Sequence, residues 1–173
     1  MIIVKKTVCV VFGGASSEYE ISLMSSSSIL RNLDTEKFDI LTLGITKDGR
    51  WLLYSGGIDA IEDGTWVEHP ENRTAFLSPD RSTAGLVVLE PDSTCSIRKI
   101  DVVFPVLHGK NGEDGTIQGL FQLSGIPYVG CGTLASALCM DKAISHSLLA
   151  SANIEQAHYL WFYADRYVEN SEK

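Results

Sequence analysis

The chain has 173 residues, of which 45% are hydrophobic and 21% are charged, and its formal net charge is -8. This length and composition are typical of a globular protein with one ordinary domain and a short piece of a second. The net negative charge, together with the absence of any run of Lys and Arg, argues against nucleic acid and anionic membranes as partners.

The start of the sequence predicts neither a signal peptide nor a transmembrane helix. Two lysines interrupt its apolar stretch, and the valine-rich run at 7–12 is far too short to cross a bilayer. Four cysteines lie in or beside apolar segments without any C-x-x-C pairing: Cys9, Cys95, Cys131 and Cys139. We therefore expect reduced, packed thiols in a cytoplasmic protein, with no disulfide framework or zinc site.

The first 45 residues have the pattern of a β-α-β unit. A buried strand is predicted at 7–12 and ends at Gly13 and Gly14. Leucines then recur at helical spacing, and a serine-rich face allows this helix to approach the sheet closely. A second strand is predicted at 38–45. A right-handed crossover and parallel pairing are expected for such a unit.

Residues 47–100 are punctuated by glycine and proline, and we interpret them as an insertion of small hairpins. Regular elements return with a strand at 101–107, a helix at about 116–123 and a last strand at 126–129. Two helical stretches, 134–140 and 143–150, should meet near Asp141, and 159–163 is predicted as one more strand. The fold class is therefore α/β, an open and mostly parallel sheet with helices on both faces.

The first candidate site is the segment GGASSE, which runs from Gly13 to Glu18 at the carboxyl end of a predicted parallel strand. Its spacing is not G-x-G-x-x-G, and an acid at Glu18 would repel a pyrophosphate. A ligand ammonium is a better guest. The structural alternative is that Ser16 or Ser17 caps the helix and Glu18 only favours the helix dipole.

The second candidate site is the glycine-rich segment HGKNGEDGTIQG, which follows the strand at 101–107 and leads into a helix. Glu113 and Asp114 have the residue types of metal ligands, but adjacent acids also suit the first turn of a helix, and we favour that structural role. No metal site is predicted. His108 stands at the strand tip, where an imidazole can exchange hydrogen bonds with a substrate or can serve as a structural histidine.

Three segments in this order and spacing resemble the D-alanine:D-alanine ligase family: VFGGASSEYEIS, HGKNGEDGTIQG and IPYVGCGTLASALCMDK. The resemblance extends from about Val8 to Lys142, and HG-x-x-GEDG-x-x-QG is its most specific part. The insertion is similar to that of the longer ligases, which include the vancomycin-resistance D-alanine:D-serine branch.

The resemblance implies an ATP-grasp enzyme of peptidoglycan synthesis that works with ATP and Mg²⁺. The carboxylate of one D-alanine is phosphorylated, and the amine of a second D-amino acid attacks the acyl phosphate. Residues 1–140 would be the Rossmann-like N-terminal domain, and 141–173 would begin the central ATP-grasp domain. The domains that bring most of the ATP cleft and the Mg²⁺ ligands are not in this sequence, so the chain alone is expected to be inactive. The complete enzyme is expected to be a homodimer.

The resemblance also implies roles for four residues of this chain. Glu18 would hold the ammonium of the first D-alanine, and His108 would help to orient the same substrate. Ile21 would pack near the substrate methyl group, although its helical periodicity favours a place in the helix core. Lys142 would reach the ATP phosphates as a point charge.

Other functions remain open at this stage. The second substrate of such a ligase is either D-alanine or D-serine. A binding or regulatory module that keeps the D-alanine pocket without chemistry is a different class, which a native stop codon after Lys173 would favour. A nucleotide-binding flavodoxin-like domain is a third class, against which Glu18 and the missing phosphate fingerprint argue.

Overall fold

The computed structural model describes residues 4–163, which belong to two compact units. The first unit ends at Ala137 and the second begins at Leu138, within the helix α4. The elements up to that helix are β1 (Lys6–Gly13), α1 (Tyr19–Asn32), β2 (Phe38–Ile45), β3 (Trp51–Tyr54), α2 (Ile58–Glu62), a 3₁₀ helix (Thr65–Glu68), β4 (Arg73–Leu77), β5 (Gly85–Leu89), β6 (Cys95–Lys99), β7 (Val102–Leu107), α3 (Thr116–Ser124) and α4 (Thr133–Met140).

Strand β1 is the centre of the parallel part of the sheet. It lies between β2 and β7 and pairs in parallel with both, so that Val10 stands opposite Thr42 and Phe104. Every residue of β1 from Val8 to Gly13 is buried. The valine-rich run is thus covered on both faces, as the sequence predicts for a parallel strand.

Side chains of β1 alternate between two hydrophobic clusters because successive residues of a strand point to opposite faces. Val10 and Phe12 pack on one face with α1, α2 and the 3₁₀ helix. Cys9 and Val11 pack on the other face with α3, and β4 and β5 cover the same cluster. The predicted α/β class, with helices on both faces, is confirmed.

The insertion contributes four antiparallel strands, β3 to β6, which continue the sheet from the free edge of β2. The full order is β6-β5-β4-β3-β2-β1-β7, a mixed sheet of seven strands. The hairpins expected in 47–100 are therefore present, but they extend the main sheet. Of the six strand pairs in this sheet, β1–β2 and β1–β7 are parallel and the other four are antiparallel, so the sheet is mixed rather than mostly parallel.

The strand predicted at 126–129 is reduced to a single parallel bridge between Val103 and Tyr128. The backbone N–H of Val103 donates to the carbonyl of Pro127 at 2.8 Å, and that of Val129 donates to the carbonyl of Val103 at 2.9 Å. Pro127 has no N–H to donate, and Gly130 then turns the chain at a φ of 123°. The location of the prediction is right, and its length is wrong.

The second unit contains the end of α4 and helix α5 (Lys142–Ser151). The helices meet at Asp141 as predicted, because the Asp141 carboxylate accepts a hydrogen bond from the backbone N–H of Ile144 at 3.0 Å and caps α5. The strand predicted at 159–163 is wrong, since 154–163 carry no regular secondary structure. Apolar composition alone therefore does not identify a strand.

Two further expectations concern membranes and thiols. Between residues 4 and 163 no helix is long and apolar enough to cross a membrane. All four cysteines are free, and Cys9 is buried, which raises the pKa of its thiol to about 12. The prediction of packed thiols is wrong for the other three, which are exposed: Cys95 on the edge strand β6, Cys131 between two glycines, and Cys139 on α4.

The fully buried Ser22 joins α1 to the ends of β1 and β7. Its hydroxyl accepts a hydrogen bond from the backbone N–H of Gly13 at 2.7 Å and donates to the carbonyl of Val106. Ser22→Ala leaves both backbone groups without this partner, so we expect the free energy of unfolding to fall by about 2 kcal/mol. Urea unfolding should show this loss beside a negligible one for Ser28→Ala, an exposed serine of the same helix. Equal losses would contradict it.

Candidate functional site

Two loops leave neighbouring parallel strands at the same edge of the sheet. The first follows β1 and runs from Gly14 to Glu18, and the second follows β7 and runs from His108 to Gly115. Gly13 and Leu107 are opposite each other in the β1–β7 register, so the loops start side by side. The carboxyl edge of such a sheet is where α/β proteins bind ligands.

The first loop turns sharply through two glycines with positive φ, 85° at Gly13 and 111° at Gly14. A Cβ atom at Gly13 would lie 2.1 Å from the carbonyl oxygen of Ile45, so only glycine fits there. Helix α1 then begins at Tyr19 with Glu18 at the N-cap position and no side-chain cap. Neither Ser16 nor Ser17 is the N-cap; Ser16 Oγ instead accepts a hydrogen bond from the backbone N–H of Glu18 at 3.1 Å.

The second loop is braced by its two acids. The Glu113 carboxylate accepts a hydrogen bond from the backbone N–H of Gly109 at 2.7 Å. The Asp114 carboxylate accepts from the backbone N–H groups of Asn111 at 2.8 Å and Thr116 at 3.0 Å. Both acids therefore have a structural function, as predicted, but inside the loop, because α3 begins only at Thr116.

The loops bring three side chains together at the edge of the sheet. Glu18, His108 and Glu113 each offer a nitrogen or carboxylate oxygen, and these three atoms all lie within 4.8 Å of one another. We call these three residues the acidic cluster. The two glutamates are exposed and His108 is half-buried. His108 Nε2 is itself buried and has no hydrogen-bond partner among residues 4–163. Two carboxylates and an imidazole nitrogen are groups that can interact with a cation.

Gly109 allows the loops to approach each other this closely. Its φ is +69°, and a Cβ atom at this position would lie 2.7 Å from Glu18 Oε1 and 2.9 Å from Ser16 Oγ. Any larger residue would push the Glu18 carboxylate away from His108 and Glu113. The glycine that follows His108 in the motif is therefore part of the construction of the site.

A cavity of about 320 Å³ lies beside the acidic cluster, under the same two loops. Its walls are mainly apolar and include Ile45, Trp51, Leu107, Ile117 and Leu120. His108 lines this cavity and also belongs to the acidic cluster. The His108 side chain therefore lies between the apolar cavity and the carboxylates of Glu18 and Glu113.

The remaining predicted site residues lie elsewhere. Ile21 is one helical turn beyond Glu18 and is 49% exposed, so its interpretation as helix core is wrong. Lys142 belongs to the second unit, where it is exposed on the first turn of α5. Its ammonium donates to the carbonyl of Cys139 at 3.1 Å.

Glu113 is the member of the acidic cluster that the sequence did not predict as a ligand-facing residue. Its position five residues after His108 in a glycine-rich loop was the available signal, since such a loop can fold the two side chains together. The adjacent Asp114 hid this signal, because a pair of acids also suits a helix start.

The chain is similar in sequence and fold to proteins of one family. Residues 7–131 match the family model described as D-ala D-ala ligase N-terminus. The chain is 51% identical over 163 residues to the D-alanine-D-alanine ligase of Caldicellulosiruptor bescii, and the match covers 94% of this chain and 44% of that protein.

Two solved structures are also similar to the chain. The VanG D-Ala:D-Ser ligase from Enterococcus faecalis has a TM-score of 0.85 and 44% identity, and the match covers 98% of this chain and 48% of that one. The D-alanine-D-alanine ligase from Bacillus anthracis complexed with ATP has a TM-score of 0.56 and 29% identity, with 90% of this chain and 40% of that one covered.

The fold defines an α/β domain that carries the acidic cluster at the carboxyl edge of its parallel strands. The family model covers most of the first unit, from β1 to the loop before α4. The chain belongs to the D-alanine:D-alanine ligase family. It spans less than half the length of the curated relatives that it matches.

The hydrogen bonds to Asp114 predict a pH dependence of stability. Partial burial acts to raise the pKa of Asp114, but the backbone N–H groups of Asn111 and Thr116 outweigh it, so the pKa lies below its usual range. A carboxyl with a lowered folded-state pKa stabilises the fold above its unfolded pKa of about 3.9, and this stabilisation is lost as the pH falls through the folded value.

We therefore expect the stability difference between the wild-type chain and Asp114→Ala to be greatest above about pH 5 and to shrink as the pH falls below about 4. Urea unfolding at a series of pH values measures both proteins under the same conditions. A difference that stayed constant, or grew toward acid pH, would show that the carboxylate does not brace the loop.

Proposed function

We propose that this chain contributes the binding site for the first D-alanine in an ATP-dependent ligase that joins D-alanine to a second D-amino acid. The observation that supports the proposal is the acidic cluster, in which two carboxylate oxygens and an imidazole nitrogen all lie within 4.8 Å of one another. Membership of the D-alanine:D-alanine ligase family supplies the substrate class.

The dimensions of the cluster suit an ammonium group. With N–H···O distances of about 2.9 Å and tetrahedral directions, three acceptors of one ammonium stand about 4.7 Å apart. The acidic cluster fits within 4.8 Å. One ammonium can therefore contact all three atoms.

The charge of the cluster also orients the substrate. Glu18 and Glu113 attract the ammonium of D-alanine and repel its carboxylate, so the carboxylate should point away from the loops. In the proposed reaction it is this carboxylate that is activated, while the amino group stays bound. His108 would accept a hydrogen bond from the ammonium through the ring nitrogen that faces the two glutamates.

The described residues do not fit a complete site for ATP and Mg²⁺. Within 4–163 the one group of possible metal ligands is the acidic cluster, whose imidazole is a poor ligand for a hard cation that prefers oxygen. Lys142 is the residue that the family resemblance assigns to the phosphates, and its ammonium donates to the Cys139 carbonyl. We propose that Lys142 contacts ATP in the complete enzyme, with the other contacts in a central ATP-grasp domain that begins at about residue 141.

The second amino acid is proposed to be D-alanine, as in the relative from Caldicellulosiruptor bescii. D-serine is the second candidate. The match to the VanG D-Ala:D-Ser ligase covers 98% of this chain and so includes the insertion. A cytoplasmic location and a homodimeric complete enzyme belong to the same proposal. The exposed free thiols support the location, since such thiols persist in reducing compartments.

Glu18→Gln tests the ammonium site directly. Titration of the chain with D-alanine, followed by the NMR amide shifts of Gly13, Gly14 and Gly109, should give a dissociation constant in the range of about 1 mM. Because Glu18 is exposed, the lost charge should weaken binding about fivefold, as for a solvated ion pair worth about 1 kcal/mol.

Glu36→Gln is the matched control for this titration. It removes the same charge from an exposed glutamate just beyond the other end of α1, away from both loops. Its D-alanine affinity should equal that of the wild-type chain. Absence of D-alanine binding by the wild-type chain, or equal affinities for both variants and the wild type, would refute the proposed ammonium site.

The chain by itself should bind D-alanine without turning it over. Phosphoryl transfer depends on positioning and on metal and cationic charge around the transferred group, and Lys142 is the one residue that the family resemblance assigns to this task. ADP release with ATP, Mg²⁺ and D-alanine should be absent, beside a full-length relative as the positive control. Turnover at a comparable rate would show that this chain holds an ATP site of its own.

A further inference from the structure

The start of α1 is fixed at one buried side chain. Between Ala15 and Ile21, all of which are described, Tyr19 is the one buried residue, with 6% of its surface exposed. Glu18 precedes it in an N-cap position that lacks a side-chain cap. The backbone that carries the Glu18 carboxylate is therefore held from the side of Tyr19.

Tyr19 is in turn held by a residue of the insertion. The indole N–H of Trp66, in the 3₁₀ helix, donates to the Tyr19 hydroxyl at 2.9 Å. Trp66 is fully buried and packs edge to face on Phe12, with ring centroids 4.8 Å apart, and on Tyr54, with centroids 6.0 Å apart. This packing leaves the indole one direction in which to donate its hydrogen bond.

Strand β2 has a glycine, Gly44, where the Trp66 indole packs on it. A Cβ atom at Gly44 of β2 would lie 2.3 Å from the Trp66 ring, so the indole occupies the space of the missing side chain. Trp66 is therefore packed against Gly44 of β2 and Phe12 of β1, and β1 is the strand that carries the first loop. This close packing restricts movement of the indole N–H that donates to Tyr19.

A second residue of the insertion holds Tyr19 from the solvent side. The ammonium of Lys47, in the turn after β2, lies 5.1 Å from the centroid of the Tyr19 ring. It also forms an ion pair with Glu20, the next residue of α1. The first turn of α1 is thus restrained at two successive residues, Tyr19 and Glu20, which directly follow Glu18.

We propose that Trp66 is a positioning residue for the first-D-alanine site, acting through its hydrogen bond to Tyr19 on the place of the Glu18 carboxylate. The inference rests on the proposed function of the acidic cluster. It gives the insertion a role in substrate binding, although no insertion residue belongs to the cluster itself. Lys47 assists from the surface.

Trp66→Phe removes the indole N–H and keeps an aromatic ring in the cluster. The Tyr19 hydroxyl then loses its partner, and the first turn of α1 gains freedom. We expect the D-alanine dissociation constant of the chain to rise about 3- to 10-fold, the range that one hydrogen bond covers. The measurement is the same NMR titration, made at a temperature where urea unfolding shows that the variant is fully folded.

Tyr54→Phe is the matched control. Tyr54 is buried and packs on Trp66. Its hydroxyl donates to the carbonyl of Gly57 at 2.8 Å, and this hydrogen bond does not involve Tyr19. The variant loses one buried hydrogen bond and should lose comparable stability. Its D-alanine affinity should stay within about twofold of the wild type, since additive effects are expected for independent groups.

Tyr19→Phe and the double variant Trp66→Phe/Tyr19→Phe complete the test. If both residues act through one hydrogen bond, Tyr19→Phe weakens D-alanine binding like Trp66→Phe, and the double variant is no weaker than either single one. Because the double variant leaves neither polar group unpaired, it should also regain part of the stability lost by Trp66→Phe.

The outcomes separate this inference from the proposed function. D-alanine binding that responds to Glu18→Gln but not to Trp66→Phe would overturn the positioning role and leave the ammonium site intact. Equal weakening by Trp66→Phe and Tyr54→Phe would also overturn it, because general loosening of the core would then explain both. A wild-type chain that does not bind D-alanine would overturn the ammonium site itself.

Discussion

The parallel pairing of β1 with β7 determines where both glycine-rich loops leave the sheet. Gly13 stands opposite Leu107 in this register, and the next residues of each strand start the loops that carry Glu18 and His108. These strands are far apart in the sequence, so their pairing is the step that creates the site. Ser22 fastens the same point by bonding to Gly13 and Val106.

The insertion supports the elements that follow both loops. Arg31 of α1 forms ion pairs with Asp59 and Glu62 of α2, and Trp66 holds the start of the same helix through Tyr19. Arg81, between β4 and β5, donates to the carbonyls of Gln122 and Leu123 at the end of α3. A segment that reads as irregular hairpins thus restrains the two helices behind the site.

Much of this arrangement could be predicted from the sequence because local signals agreed with the tertiary structure. A valine-rich run predicts β1, and glycines predict the turns of both loops. The acid at Glu18 argues against a phosphate ligand. The elements that failed depend on partners that the local pattern does not contain. The missing N–H of Pro127 shortens the last parallel pairing, and the segment at 159–163 has the composition of a strand but no regular secondary structure.

The site itself shows the same limit. Glu18 and His108 could be chosen as candidates from the sequence, since His108 follows a buried strand and precedes Gly109, and Glu18 ends the loop that begins at the Gly13–Gly14 pair. The approach of Glu113 to both was not, because it depends on the left-handed turn at Gly109 and on the close contact of two loops. The role of Trp66 was hidden for a similar reason: its partner Tyr19 is distant in sequence, and a buried tryptophan is usually only part of the core.

A crystal structure of the chain with bound D-alanine tests the central claim most directly. The account predicts the amino nitrogen of D-alanine within about 3.2 Å of carboxylate oxygens from Glu18 and Glu113 and of the His108 ring, with the substrate carboxylate directed away from the loops. D-alanine bound elsewhere on the chain, or bound at this edge with its carboxylate toward Glu18, would contradict it.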